Sequence, residues 1–335
     1  MWIDRQEQLT QLVASIAPNE IWIDTEYDNQ RYFAPRLALV QVAWSEGAVV
    51  IDPLEVDLAA LNGWGGRWFS HDGTHDWLLL DQAGWKPAGE CLDTQIAARL
   101  LGYERFGLAA LAEAVLTVEV DKSEQRSDWL RRPLTLEQQT YALGDVVHLR
   151  AMTDVFRRQI DERDLNQAWR EESSLVRSRG ARLIERQPKP FWKIKDLRKA
   201  RPLILGRAEA ILKWRFDQAR ERNIPEFKVL SDPVIVRLAW GKIKPRERSL
   251  ATALKQAKPC DWPKRQRPEP SSAQLEKSLK AWRSEQATQL PMDLSMVLPG
   301  RCLTQLAQGK SPDEIEELIG WRQSIFGEQI KALVS

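Results

Sequence analysis

Strand-like runs are confined to the part of this 335-residue chain that precedes His71, and that segregation constrains its fold most strongly. Apolar and β-branched residues form three runs separated by short turns, as in a meander, and a fourth short run follows. Helical spacing of apolar residues precedes them at residues 5–16 and dominates after them. Strands that come first and are followed by an alternation of strand and helices are typical of an α/β layer fold. Strands are predicted at Glu20–Asp24, Leu37–Trp44, Ala48–Ile51 and Arg67–Ser70, and later helices at Thr74–Gln82, Asp93–Leu101, Gly107–Leu116 and Leu134–Ile160.

The second half of the chain contains an internal duplication. Trp214 and Arg215 align with Trp282 and Arg283, and ten of the 29 positions from 214 to 242 are identical to their counterparts without a gap. The offset between the copies is too long for a solenoid unit, so we predict two tandem helical domains. Stretches rich in proline, at residues 186–192 and 257–272, are predicted linkers.

The net charge of +2 conceals an asymmetry between the two halves of the chain. Residues 1–170 contain 16 basic and 27 acidic residues, whereas the remainder contains 33 basic and 20 acidic ones. Such asymmetry suggests an acidic half that holds metal and a basic half that holds a polyanion. Solvated surfaces without a specific partner explain the same numbers equally well.

Several classes of protein are excluded by composition. No run of about 18 apolar residues is present, which argues against a membrane span. The three cysteines are far apart and odd in number, which argues against a disulfide scaffold. The N-terminal residues also lack the pattern of a signal peptide. Together these features predict a cytoplasmic protein.

Four acidic residues and one tyrosine stand out by their placement. Asp24 and Glu26 lie two apart at the predicted end of the first strand, so both side chains share one face. Two like charges there repel each other unless a divalent cation lies between them. Tyr141 and Asp145 share a face of the last predicted helix, and Asp76 lies in the first turn of another. Taken singly, each pattern is more typical of an ordinary protein surface.

The order of these motifs resembles the ribonuclease D family. Residues 20–45 resemble its first exonuclease motif, His71–Asp76 its second, and Tyr141–Asp145 its third, a Tyr-x-x-x-Asp pattern. The block Asp121–Leu134 between them is similar as well. This resemblance spans about residues 1–165, and the helical repeats resemble, more loosely, the HRDC domains that follow the nuclease in that family.

The resemblance implies three domains. A ribonuclease-H-like α/β exonuclease domain with a mixed sheet would occupy residues 1–170, and two all-α HRDC-like domains would occupy residues 190–257 and 272–335. The first three strands would form an antiparallel meander. The acidic residues would converge at one edge of the sheet.

The activity that the resemblance implies is metal-dependent 3′-5′ exoribonuclease activity, releasing nucleoside 5′-monophosphates in tRNA 3′ processing or structured RNA trimming. Asp24, Glu26, Asp76 and Asp145 would hold two Mg²⁺ ions, with Mn²⁺ as a substitute, and Tyr141 would orient the attacking water. The expected partners are RNA 3′ ends, such as tRNA precursors. Two alternatives stay open: the same chemistry on DNA 3′ ends, and a non-catalytic nucleic-acid-binding adaptor, against which the complete acidic set argues.

Basic and aromatic residues outside these motifs are the candidate nucleic-acid contacts. Lysine and arginine bind phosphates in a salt-sensitive manner, and tryptophan can stack on bases. An ordinary solvated surface is the alternative for each charged residue. By contrast, the helical spacing predicts that Trp214, Trp282 and Trp321 are core residues. The candidate contacts are Lys122, Arg126, Trp192, Lys193, Lys195, Arg198, Lys242 and Lys244.

Overall fold

The computed structural model describes residues 1–121, 123–182, 186–263 and 270–335. Contacts divide the chain into two compact units, which we call the larger and the smaller unit. The larger unit comprises Met1–Glu26, Leu37–Ile184 and Pro268–Ser335. The smaller unit comprises Tyr27–Arg36 and Glu185–Arg267.

A six-stranded mixed sheet contains all the strands of the described residues. The strands are β1 (Trp2–Ile3), β2 (Glu20–Asp28), β3 (Arg36–Trp44), β4 (Gly47–Ile51), β5 (Arg67–Ser70) and β6 (Glu90–Asp93). Their order is β1-β4-β3-β2-β5-β6. β3 and β4 are antiparallel, whereas β1 pairs parallel with β4, β2 with β5, and β5 with β6. The predicted α/β fold with a mixed sheet is therefore confirmed.

Three features of the sheet differ from the sequence-based expectation. β1 and β6 were not predicted, because two residues are too few to show a period and the sequence of β6 runs directly into a helix. The acidic residues were expected at a sheet edge, yet β2 has neighbours on both sides. In addition, β2 continues to Asp28, so Asp24 and Glu26 lie within the strand rather than at its end.

Helices cover the sheet in the larger unit. Those of its α/β part are α1 (Gln6–Ser15), α2 (Thr74–Gln82), α3 (Thr94–Leu100), α4 (Leu108–Leu116), α5 (Leu136–Glu162) and α6 (Asn166–Arg182). The long helix α5 begins with a capping box, in which Thr135 and Gln138 exchange hydrogen bonds of 3.0 and 3.2 Å. It packs on α3, α4 and β4, while α6 packs on α2 and β6. Among the described residues, no helix has the length and apolarity needed to cross a bilayer.

The duplicated sequence folds into duplicated helices. The first repeat has α7 (Pro202–Glu221), α8 (Glu226–Val229), α9 (Asp232–Ala239) and α10 (Arg248–Gln256), all in the smaller unit. The second repeat has α11 (Pro270–Gln289), α12 (Leu294–Val297), α13 (Gly300–Ala307) and α14 (Trp321–Val334), all in the larger unit. The first three helices of the two repeats begin at the same offset that aligns Trp214 with Trp282 in the sequence.

Equivalent side chains make equivalent contacts in the two repeats. Arg215 donates a hydrogen bond to the Leu230 carbonyl at 3.2 Å, and Arg283 donates to the Leu298 carbonyl at 3.1 Å. Of the predicted linker at residues 186–192, Phe191 is buried in the core of the first repeat, whereas Arg186, Gln187 and Trp192 are exposed. Of the other predicted linker, residues 264–269 lie outside the described residues. The three tryptophans predicted to be core residues are buried: Trp214, Trp282 and Trp321.

A buried ion pair joins the second repeat to the α/β part of the larger unit. Arg322 on α14, only 1% exposed, pairs with Glu172 on α6. Trp321 donates its indole N–H to the same carboxylate at 3.1 Å. Arg322 also donates to the carbonyl oxygens of Met296 at 2.7 Å and Glu317 at 3.0 Å. The N–H groups of Arg322 thus donate both to the buried Glu172 carboxylate and to backbone carbonyl oxygens, which also need partners when they are buried.

Candidate metal centre

Three carboxylates converge where β2 packs against α5. One oxygen each from Asp24, Glu26 and Asp145 lies within 4.8 Å of the other two. The strand period places Asp24 and Glu26 on the face that also carries Trp22, and the Trp22 indole donates a 3.0 Å hydrogen bond to Thr153 on α5. Asp145 projects from the same helix and is buried, whereas the two strand carboxylates are partly exposed. The site is therefore partly buried, and its two strand carboxylates remain accessible to a ligand.

The fourth predicted acidic residue, Asp76, lies beside this cluster. It occupies the first turn of α2 and is 6% exposed, so it is not the ordinary surface charge of a helix end. Its carboxylate accepts a hydrogen bond from the hydroxyl of Thr25, the residue between Asp24 and Glu26. Burial and the charge of Asp24 raise the pKa of Asp76 well above its usual value.

The electrostatics of the cluster are unfavourable without a cation. Desolvation raises the pKa of Asp24 to about 6, and desolvation with the Asp24 charge raises the pKa of Asp145 to about 8. Desolvation and the other three carboxylates raise the pKa of Glu26 to about 9. No lysine or arginine within the described ranges pairs with any of the four. Hard oxygen donors that lack a cationic partner are the ligands that divalent ions prefer, so this donor set fits a divalent metal.

Tyr141 lies one helical turn before Asp145 on α5. Its ring packs on Trp129, with ring centroids 5.8 Å apart and planes inclined by 37°. Burial and the charges of Asp145 and Glu26 raise its pKa above the ordinary range of a phenol. The hydroxyl is therefore protonated at neutral pH and is available as a hydrogen-bonding group rather than as a base.

The block before α5 holds Trp129 in place beneath Tyr141. Arg132 pairs with both carboxylate oxygens of Asp52, which follows β4. The same guanidinium donates to the carbonyls of Ala38, at 2.9 Å, and Trp129, at 2.7 Å. Sequence analysis gave Trp129 and Arg132 no function, although Lys122 and Arg126 of the same block are among the predicted nucleic-acid contacts. The feature of the sequence that could have indicated this role is a tryptophan and an arginine within a polar segment between two motifs.

Asp93 fixes the loop that leads to Asp76, and it was not among the predicted site residues. It is 1% exposed and caps α3 by accepting from the Gln95 N–H at 2.8 Å. It also accepts from the N–H groups of Asp72, at 3.2 Å, and Gly73, at 2.8 Å. An N-cap that binds a second loop in this way sets the start of α2 and hence the position of Asp76.

The predicted nucleic-acid contacts are divided between the two units. Arg126 is exposed in the turn that precedes Trp129 in the larger unit, and Lys122 lies outside the described residues. The indole of Trp192 is accessible, since the residue is 48% exposed. The remaining candidates are exposed residues of the smaller unit, namely Lys193, Lys195, Arg198, Lys242 and Lys244.

Metal-free protein is expected to lose stability as the pH rises. Unfolded Asp and Glu ionise near 3.8 and 4.5, whereas in the folded protein the pKa of Asp145 is about 8 and that of Glu26 about 9. Between these limits the folded state binds more protons than the unfolded state, so the free energy of unfolding falls with increasing pH. Urea denaturation in EDTA across this pH range measures the effect.

Added Mg²⁺ or Mn²⁺ is expected to reverse that trend, because a metal binds the ionised carboxylates. The gain in unfolding free energy on adding metal should therefore be larger at about pH 8 than at about pH 5. Asp145→Asn removes one of the carboxyl groups whose pKa is raised. In this variant the free energy of unfolding without metal should depend less on pH. Parallel curves with and without metal would contradict a metal centre built from these residues.

Comparison with known proteins identifies the family of this fold and site. Residues 1–161 match the model of a 3′-5′ exonuclease domain. The chain is 32% identical over 250 residues to Ribonuclease D of Xanthomonas oryzae pv. oryzae, covering 71% of this chain and 67% of that protein. It is 28% identical over 381 residues to Ribonuclease D of Granulibacter bethesdensis, covering 99% of this chain and 91% of that protein.

The solved structures include a similar fold over the full length of the chain. The crystal structure of Escherichia coli RNase D, described as an exoribonuclease involved in structured RNA processing, superposes with a TM-score of 0.80. That alignment covers 100% of this chain and 98% of the other, at 23% identity, and shows that the fold is shared. Sequence identity, the exonuclease domain and the fold agree: this chain belongs to the ribonuclease D family.

Proposed function

We propose that this chain is a divalent-metal-dependent 3′-5′ exoribonuclease that releases nucleoside 5′-monophosphates from RNA ends. The observation that carries the proposal is the convergence of three carboxylate oxygens within 4.8 Å, inside a 3′-5′ exonuclease domain. RNA as the substrate is supported by the names of the matched relatives. Precursors of tRNA and other structured RNAs are the proposed natural substrates.

The proposed metal ligands are Asp24, Glu26, Asp76 and Asp145, and the proposed metal is Mg²⁺, with Mn²⁺ as a substitute. Such ions supply an activated water and neutralise charge on the scissile phosphate. The clustered carboxylates supply the compensating negative charge, and Thr25 holds Asp76 in position. Tyr141 keeps its proton and orients the attacking water through its hydroxyl, with Trp129 fixing the ring.

The helical repeats are proposed to be HRDC-like domains at residues 190–257 and 272–335, following a nuclease domain at residues 1–170. Their shared helix spacing and the paired contacts of Arg215 and Arg283 support a duplicated module. The exposed basic residues of the first repeat are proposed to bind RNA phosphates. The cytoplasmic location suggested by the cysteine content stays a prediction.

Sizing of products from end-labelled RNA tests this function. RNA labelled at its 3′ end should yield a labelled mononucleotide, and RNA labelled at its 5′ end should yield a ladder of shortening products. Both should require Mg²⁺ or Mn²⁺ and should stop in EDTA. Internal cleavage products would contradict the exonuclease mechanism.

A DNA oligonucleotide of matched sequence separates the two nucleic-acid substrates. The proposal expects RNA to be degraded faster than DNA under the same metal conditions. Faster degradation of DNA would replace RNA by DNA as the substrate. Binding of both without hydrolysis would instead indicate the non-catalytic adaptor.

Tyr141→Phe is expected to lower the single-turnover rate of hydrolysis about tenfold to a hundredfold, since one positioning hydrogen bond is lost. The phenylalanine ring can keep the packing on Trp129, so the melting temperature should change little. RNA affinity measured in EDTA should also be unchanged. An unaltered rate would exclude a role of the hydroxyl in hydrolysis.

A further inference from the structure

A cavity of about 360 Å³ in the larger unit has no place in the proposed reaction. It lies where α2, α3 and α6 meet the second helical repeat, and all its lining residues belong to the larger unit. None of the four candidate metal ligands lines it. Its volume is at the lower end of the range for small-ligand pockets.

Three arginines from three different helices line this cavity: Arg99 on α3, Arg179 on α6 and Arg301 on α13. The Arg99 guanidinium is held in one orientation by Asp293, at 3.4 Å, and by the ring of Phe106, whose centroid is 4.1 Å away. A guanidinium has five N–H donors, so these contacts orient the group and leave donors for a ligand.

The other two arginines also offer donors. Arg301 pairs through Nε with Glu317 at 2.6 Å and also contacts the Cys302 thiol, and a guanidinium has further N–H donors beyond these. Arg179 is exposed, and no carboxylate within the described part of the chain forms an ion pair with it. The cavity therefore contains one arginine whose charge is not compensated by a neighbouring side chain.

Of the three acidic residues that line the cavity, two are already engaged. The Asp93 carboxylate accepts backbone N–H groups from two loops, and Glu172 is paired with Arg322. Asp72 is the third, and its backbone has the left-handed φ of 54°. Acidic and basic side chains are equal in number in the cavity lining, and a ligand meets there the unpaired Arg179 and the remaining N–H donors of Arg99 and Arg301.

We propose that the cavity is a second phosphate-binding site, which takes the phosphate group of a nucleotide or of an RNA backbone. Arginine forks match phosphate oxygens, and the neutral side chains of Thr74 and Gln95 line the same cavity. Thr74 is the first residue of α2, two positions before Asp76. A phosphate bound there contacts the segment that positions a proposed metal ligand, and so links occupancy of the cavity to the metal centre.

Binding in EDTA tests this site without any contribution from hydrolysis or from metal-held phosphate. Three probes are used with the full chain: orthophosphate, adenosine 5′-monophosphate and a short single-stranded RNA. Arg179→Gln should weaken binding of at least one probe about tenfold, because a charge-assisted hydrogen bond is lost. Arg158→Gln, an exposed change on α5 away from the cavity lining, is the matched control and should leave all affinities unchanged.

The pattern across the probes identifies the source of the phosphate. If Arg179→Gln weakens orthophosphate and nucleotide binding, the site takes free phosphate groups. If it weakens only RNA binding, the site takes the RNA backbone. Equal affinities of the wild type and Arg179→Gln for all three probes would overturn the proposal. None of these outcomes depends on whether the chain hydrolyses RNA.

Discussion

Asp24→Asn is expected to reduce RNA hydrolysis by about 10³-fold or more while leaving the fold intact. Metal-based stabilisation of a phosphoryl transition state amounts to several kcal/mol, and Asp24 is central to the cluster because its charge acts on Glu26, Asp76 and Asp145. Removing that charge also relieves repulsion among the remaining carboxylates. The melting temperature in EDTA should therefore rise, and the further rise on adding Mg²⁺ should be lost.

Asp154→Asn provides the matched control for this experiment. It makes the same chemical change on α5, at a side chain that is 62% exposed. Its hydrolysis rate and its response to Mg²⁺ should equal those of the wild type. Full activity of Asp24→Asn would contradict the proposed ligand set, and a melting temperature below that of the wild type would contradict the repulsion within the cluster.

Local periodicity accounts for the part of the site that the sequence predicted. Asp24 and Glu26 share a face because a strand alternates, and Tyr141 and Asp145 share a face because a helix repeats every 3.6 residues. The contacts that complete the site join residues far apart in the chain. Thr25 reaches Asp76 across 51 residues, and no local pattern encodes such a contact.

Tertiary packing likewise determined the parts of the fold that sequence patterns missed. β6 has four residues and is stabilised by its pairing with β5, not by a period of its own. The duplication predicted two similar sets of helices, and the first three helices of each set do begin at the offset of the sequence alignment. The duplication in the sequence could not predict that the second repeat shares a unit with the α/β sheet. Glu172, which lies outside the duplicated pattern, pairs with Arg322 of the second repeat.

Arg322→Met is expected to lower the free energy of unfolding of the larger unit by about 3–5 kcal/mol, because it leaves the Glu172 carboxylate buried without a cation. The change also removes donors from the carbonyls of Met296 and Glu317. Urea denaturation followed by tryptophan fluorescence measures the loss, with the slope of the transition showing whether the same surface unfolds.

Two controls separate the buried charge from the lost packing. Arg105→Met breaks an ion pair of ordinary length, 3.2 Å, whose partners are 70% and 67% exposed, and should cost less than about 1 kcal/mol. Combining Arg322→Met with Glu172→Met removes both charges, and should recover part of the stability because no buried anion remains. If Arg322→Met cost no more than Arg105→Met, the pair with Glu172 could not be what joins the second repeat to the α/β sheet. If the double variant were less stable than Arg322→Met, the loss would come from packing and backbone hydrogen bonds rather than from the buried charge.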